Sequence, residues 1–457
     1  MNYNSWGLWL AFNLLVAGYY AYAFFAPASQ FKTALLPGTT THGHYQIEMD
    51  CDACHSPSSD GNGAVGAFMQ DACNRCHADQ LQHVKDTHPA KKFNDPSNAE
   101  LLQTLDAQNC LSCHQEHVPE QTSAMGLTIP TDYCWHCHQD VADSRPSHDG
   151  MGFDSCATAG CHNYHDNRAI YEKFLNDNFG QPDLLEKRQL PSRSLTTWLN
   201  EDSASQPKAI ELKPDAPTKK LDAAIVADWK STAHAKAGVS CNGCHQEAQV
   251  AWQDAVPMAT CEKCHDRQTE SFIQGRHGMR LARGLSPMKP TDARLPMHVD
   301  AAHLELTCNA CHSDHRFDTQ WAAVEACQQC HADSHSLAYN DSAHASLWQQ
   351  ELAGELPSGS GVTCASCHLP RLKDGDEVWV NHDQNANLRP NETMAREVCQ
   401  SCHGLEFSLS ALADPDLTET CFEGQPKTRT ESVSMAHDWF QLQDEKRKQR
   451  QRNRKSN

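Results

Sequence analysis

Apolar residues are spread unevenly along this chain. Trp6–Ala26, WGLWLAFNLLVAGYYAYAFFA, is a run of 21 positions without a charge. A helix of that length can cross the hydrocarbon layer of a bilayer. Trp6, Trp9, Tyr19, Tyr20 and Tyr22 fit interfacial placement. No Lys or Arg precedes the run, and it is long for a secretory signal. A retained N-terminal anchor within residues 1–30 is therefore expected. A cleaved signal, cut near APAS (Ala26–Ser29), is the competing reading. No second apolar run follows. Two shorter segments, AIYEKFLNDNF (Ala169–Phe179) and LDAAIVADWKSTAH (Leu221–His234), read as helices. The Pro-, Asp-, Ser- and Lys-rich stretch between them makes 169–221 read as a linker.

The rest of the chain is punctuated by one string, C-x-x-C-H. It occurs at Cys51/Cys54/His55, Cys73/Cys76/His77, Cys110/Cys113/His114, Cys134/Cys137/His138 and Cys241/Cys244/His245. It returns at Cys261/Cys264/His265, Cys308/Cys311/His312, Cys327/Cys330/His331, Cys364/Cys367/His368 and Cys399/Cys402/His403. A stretched form, CATAGCH, supplies Cys156, Cys161 and His162. Chance at this composition predicts about 0.07 regular strings, against ten found. The eleven motifs use 22 of the 23 cysteines and leave Cys421 over, read as a buried thiol. One such string could begin a zinc site or a disulfide. The repeated adjacent histidine points to covalent c-type haem: two thioethers to the vinyl groups, with the histidine beneath the iron. Zinc has no use for a histidine directly after every second cysteine.

Composition then takes on a different meaning. Only 39% of residues are hydrophobic and 7% aromatic. Eleven haems amount to one per about 42 residues, so porphyrins would form much of the interior. The expected fold is mainly α and irregular: short helices and loops wrapped around a chain of covalent haems, with little β-sheet. Covalent attachment occurs outside the cytoplasm, so residues beyond about 30 are expected on the periplasmic side of a bacterial inner membrane. The formal charge of −20 argues against nucleic acid as a partner. Only the end is basic, EKRKQRQRNRK (Glu445–Lys455). It reads as a solvated, frayed tail or as a docking arm for an acidic partner or anionic lipid.

Motif spacing divides the chain into two similar halves: a five-haem module over 31–168, the linker, and a six-haem module over 222–405. Residues 406–457 form a C-terminal segment. His44 stands seven residues before Cys51, and His234 seven before Cys241. The third motif of each half ends C-H-x-x-H, at His117 and His315. Twenty-eight histidines less eleven proximal ones leave 17, enough to fill every sixth coordination site. The repeat nominates His44, His88, His117, His148 and His165 as distal ligands in the first half. It nominates His234, His277, His315, His344 and His382 in the second, with His303 or His437 for the extra haem. His42, His83, His298 and His335 are held in reserve. Bis-histidine iron has both axial sites filled, which suits electron transfer over substrate binding.

The ten CxxCH strings, the CxxxxCH string and the two CHxxH endings resemble the multihaem class III cytochromes c and their doubled relatives, over about residues 42–405. The resemblance implies haems packed edge to edge, bis-His irons and little regular structure. The expected function is electron transfer along eleven low-spin haems, between a membrane dehydrogenase or quinol-linked complex and a periplasmic or membrane partner. One alternative is a reductase or oxidase of small nitrogen or sulfur oxyanions with one five-coordinate haem, for which Cys399–His403 is the first candidate. Another is a haem-bearing relay subunit of a respiratory membrane complex.

Overall fold

The computed structural model describes residues 3–25, 36–55, 65–84, 95–104, 107–118, 128, 133–145, 148, 164–165, 172–192, 221–246, 251–375, 377–388 and 391–456. Among them helix dominates, mostly in short pieces. Among the described residues the only sheet is one antiparallel hairpin pairing Arg371–Asp374 with Glu377–Val380. The expected mainly helical and irregular fold is thus observed. The chain forms two compact units, Met1–Cys134 and Trp135–Asn457.

The first unit opens with the helix Tyr3–Phe25, which carries no charge. Its described side chains, Trp6 to Tyr22, are all exposed. Among the described residues no helix is long and apolar enough to cross a membrane. The helix Val65–Val84 carries the second motif. Its Gln70 accepts from the Cys110 amide at 2.9 Å and donates to the Gln108 carbonyl at 3.3 Å. That pins the turn bearing the third motif to the helix bearing the second.

The second unit has several small apolar clusters. Leu175, Leu405, Val433 and Ala436 form one, where the helices Glu172–Asp177, Leu405–Ala413 and Ser432–Ser456 meet. Leu190, Met394 and Val398 form another, against Cys367 and Cys399. Val324, Tyr339, Ala345, Trp348 and Cys421 form a third. Cys421 is buried and free of any disulfide. The largest fully buried side chains are Leu405, Val433, Asp383 and Ser408. Two of those four are polar, so no large protein-only core exists among the described residues.

Local sequence explains where these elements start and stop. The helix expected over Leu221–His234 breaks into Ala223–Ser231 and Ala233–Lys236. The Thr232 hydroxyl accepts from the Ala235 amide at 3.1 Å and so begins a new helix. The helix expected over Ala169–Phe179 is found at Glu172–Asp177. The start of the expected linker enters the packing. Leu185 N donates to Cys402 O and Leu190 N to Gly359 O, each at 2.9 Å. Residues 193–220 lie outside the described residues. The basic tail is not frayed but belongs to one continuous helix, Ser432–Ser456. Val433 and Ala436 seat its start in the first cluster. Lys and Arg are good helix formers, and Lys448 pairs with Asp444 one turn back at 2.6 Å.

Candidate haem-binding sites

One helical turn brings residues i and i+3 to the same face, with i+4 beside them. A C-x-x-C-H string needs only that turn to present two sulfurs and an imidazole together. Accordingly, Cys241–His245, Cys308–His312 and Cys364–His368 are themselves short helices, and Cys51–Ala53, Cys110–Ser112 and Cys399–Ser401 are tighter turns. The motif histidine's amide donates to the first cysteine's carbonyl at 2.8 Å in His55, His114 and His403, and at 2.9 Å in His265 and His331. Ser240 and Thr363 cap two of these helices, accepting from Gly243 N at 3.3 Å and Ser366 N at 3.0 Å. Among the described residues no three His, Cys, Asp or Glu groups are arranged to hold a metal ion.

The expected attachment residues are not all placed alike. Cys76 and Cys264 are exposed, as are Cys51 and Cys137, whereas Cys54 and Cys113 are half-buried. His138 departs from the common pattern. Its amide donates to Trp135 O at 3.2 Å, three residues back, where the motif histidines named above bond four residues back. The fourth motif is thus wound more tightly, and the His138 side chain is exposed. The boundary between the two compact units falls inside this same motif, after Cys134.

Each described pair of facing histidine rings combines a motif histidine with a second one. In the first unit His55 faces His117 at 6.4 Å between ring centroids, and His77 faces His44 at 5.9 Å. In the second half of the chain all six motif histidines are matched. His245 faces His315 at 5.7 Å, His265 faces His234 at 5.9 Å and His312 faces His382 at 6.3 Å. His331 faces His277 at 6.3 Å, His368 faces His335 at 6.1 Å and His403 faces His344 at 6.3 Å. A metal–imidazole bond of about 2.0 Å, plus about 1.1 Å from nitrogen to ring centre, separates two trans imidazoles on one metal by roughly 6.2 Å. The pairs therefore fit a six-coordinate haem iron.

Several expectations change on this evidence. The extra haem's histidine, His403, faces His344 and neither His303 nor His437. His437 instead stacks on Phe179 at 3.9 Å, its Nδ1 bonded to Asn176 Oδ1 at 3.0 Å. His303 faces no motif histidine among the described residues. His335, held in reserve, is the partner of His368. A local signal could have found it. Three of these histidines follow a helix-capping residue by two positions: Thr232-Ala-His234, Asp333-Ser-His335 and Ser342-Ala-His344. A capped helix start holds the ring rigidly in place. Cys156, Cys161, His162 and His88 lie outside the described residues, and with them the pairing expected of His148 and His165.

The rings are held in the tautomer that iron needs. His117 donates Nδ1–H to Gly38 O at 2.8 Å, His245 to Gln253 O at 2.7 Å and His335 to Thr418 O at 2.6 Å. His382 donates to Val380 O and His403 to Asp183 O, each at 2.9 Å. With Nδ1 so engaged, Nε2 keeps its lone pair for a metal. Burial holds His277, His312, His344 and His368 down to about 4, and lowers His234 and His382 from the ordinary imidazole value. These are neutral rings at pH 7. In the first unit the His44 ring lies 2.5 Å from Glu116 Oε1. Burial alone would raise the Glu116 carboxyl. The His44 bond and charge and the Thr41 amide and hydroxyl outweigh it, leaving it at about 2.

Neighbouring motifs also touch through their sulfurs. The thiols of Cys73 and Cys110 are hydrogen-bonded, as are those of Cys261 and Cys308 and of Cys327 and Cys364. Cys244 lies near enough to Cys261, Cys311 to Cys327 and Cys367 to Cys399 for their charges to interact. From Cys241 onward every motif therefore adjoins the next one in the sequence.

Sulfur pairs on single turns, each followed by an imidazole and many of these faced by a second ring, are an arrangement that c-type haems would fit. Two stretches, residues 43–139 and 233–332, match the cytochrome c3 family model. Cytochrome c-552 of Haemophilus ducreyi is 26% identical over 188 residues, 35% of this chain and 35% of that protein. The match thus spans about a third of that relative's length. No solved structure matches. The chain thus resembles multihaem c-type cytochromes, with a cytochrome c3-like stretch in each half.

Proposed function

We propose that the protein carries eleven covalent haems, each held by two histidines, and conducts electrons along them in the periplasm. Its partners would be a membrane dehydrogenase or quinol-linked complex on one side and a periplasmic or membrane acceptor on the other. The observation that carries this reading is the complete matching of the six motifs from Cys241 onward. Six motif histidines face six others at one iron-sized spacing. A bound haem supplies one-electron chemistry. The chain's part is to fill both axial positions, exclude substrate from the iron and bring consecutive attachment sites together. The sulfur contacts support a spatial order that follows the sequence order.

His344 opposite His403 counts against an open site at Cys399–His403, the first candidate of the oxyanion reductase alternative. An N-terminal anchor at the uncharged helix Tyr3–Phe25, whose leucines and aromatic residues are exposed, is part of this proposal, although no described helix is long and apolar enough to cross a membrane. The exposed basic end of the helix Ser432–Ser456 supports docking to an acidic redox partner. The test is mass spectrometry of the mature protein with electron paramagnetic resonance of its oxidised form. Eleven attached haems and an all low-spin ferric spectrum are expected. Far fewer haems, or a high-spin signal of one haem's intensity, would refute it. Retention in membranes after a salt wash, and release by detergent, tests the anchor.

A further inference from the structure

The haem sites are duplicated, but the contacts behind them are not. The Glu116 carboxylate sits behind His44: Oε1 takes the His44 Nδ1–H at 2.5 Å and the Thr41 hydroxyl at 2.9 Å, while Oε2 takes the Thr41 amide at 2.7 Å. Its side chain is 17% exposed. It belongs to the C-H-Q-E-H turn, directly before His117, which faces His55. The equivalent turn of the second unit reads C-H-S-D-H, with Asp314 in place of Glu116. His117 and His315 share a backbone φ of 64°, so the two turns have the same left-handed bend. Yet His234, the counterpart of His44, has a buried Nδ1 without a hydrogen-bond partner. Ser231, the counterpart of Thr41, donates its hydroxyl to Asp228 O at 2.7 Å instead.

From this difference we infer that Glu116 is a positioning residue that makes the haem between His44 and His77 harder to reduce than its counterpart between His234 and His265. The inference rests on the bis-histidine reading of both sites. A carboxylate that accepts the Nδ1–H makes an imidazole a stronger donor through Nε2. A stronger donor stabilises ferric over ferrous iron, and hydrogen bonding behind the axial ligand is one of the levers by which a protein sets a haem potential. An imidazole with no partner lacks that assistance. Glu against Asp, one methylene, accompanies this contrast in the sequence, and at equilibrium an electron favours the site of the second unit.

The experiment is a spectroelectrochemical titration of full-length, haem-loaded E116Q beside the parent. In E116Q one haem's share of the amplitude is expected to move to higher potential. Its reduced-to-oxidised ratio at fixed potential should rise about tenfold, equivalent to about 59 mV for one electron. One low-spin resonance should change, with no high-spin signal and no change in attached-haem mass. A fully loaded E116Q with an unmoved titration and unmoved resonances would overturn the inference. Should E116Q load incompletely, E116D decides. It keeps the charge but withdraws the carboxylate, and is expected to shift the same haem in the same direction by less; an unmoved curve overturns the inference equally. Absence of haem from the Cys73/Cys76 peptide of the parent would instead overturn the site reading beneath it.

Discussion

The first unit's ring pairs, His55 with His117 and His77 with His44, recur in the second as His245 with His315 and His265 with His234. In both units the histidine ahead of the first motif faces the second motif, and the one ending the third motif faces the first. The surroundings differ. The only buried apolar side chain described in the first unit is Ala72, whereas the second buries leucines, valines, methionines and two tryptophans. Axial geometry was thus kept through duplication while the packing around it diverged. Iron fixes the spacing of two imidazoles, but nothing fixes what lies behind them.

Removing a distal ring should have the largest effect and tests the equivalence directly. His117→Ala and His315→Ala are each expected to convert one haem to a high-spin, carbon monoxide-binding form, seen by electron paramagnetic resonance and by absorbance. A low-spin spectrum in either variant breaks the comparison. His335→Ala should do the same at the Cys364–His368 site, while His303→Ala and His437→Ala leave the spectrum unchanged.

Next comes the apolar contrast. Leu405→Ala empties a fully buried position and should cost the second unit about 2–5 kcal/mol in denaturant unfolding. The transition of the first unit should stay where it was; a shared shift would mean that the two units unfold together.

Acid sharpens the same contrast. His277, His312, His344 and His368, all in the second unit, are held down to about 4 by burial. An unfolded imidazole near 6.5 takes up a proton first, so the unfolded state binds more protons between those values. Stability of the second unit should therefore be intact above pH 6.5 and fall as the pH drops toward 4, and iron at Nε2 would keep the proton off these rings and carry the fall below 4 in the haem-loaded protein. A midpoint of unfolding that is flat across that window would contradict the burial of these rings.

The smallest effect concerns the caps. Thr232→Ala and Ser342→Ala each remove a hydroxyl that holds the start of a ligand-bearing helix, at 3.1 Å from the Ala235 and Ala345 amides. Each should lower stability by about 1 kcal/mol, with the haems still attached. A loss in only one variant would show that the two starts are not equivalent.

Much of this was legible in the sequence. The motif strings, the likeness of the two halves and most of the facing histidine rings can be read from spacing, because His44 and His234 keep one offset from their motifs and the CHxxH turns keep another. The tighter turn at His138 was not legible, since its string is identical in form to the other nine. The histidine facing His403 was not the one expected because the repeat offers no counterpart for a sixth motif and had already used His344 for another. His335 was passed over because the repeat offered no counterpart, although its helix cap marks it. The continuous C-terminal helix was missed because its seat, Val433 and Ala436 against Leu175 and Leu405, joins distant parts of the chain.

Where haems can attach is a local matter, since C-x-x-C-H is complete within one helical turn and needs no other part of the chain. The largely helical, core-poor character is equally a matter of composition, because so few apolar residues leave the interior to the cofactor. Which imidazoles face each other is a property of the folded chain alone. Among the pairs, the two rings come from residues as little as 31 apart, His234 and His265, or as much as 70 apart, His245 and His315. The carboxylate behind His44 is likewise a meeting of residues 72 apart. Local rules place a ring on a helix, but only the packing of one turn against another sets the last few ångströms between two rings.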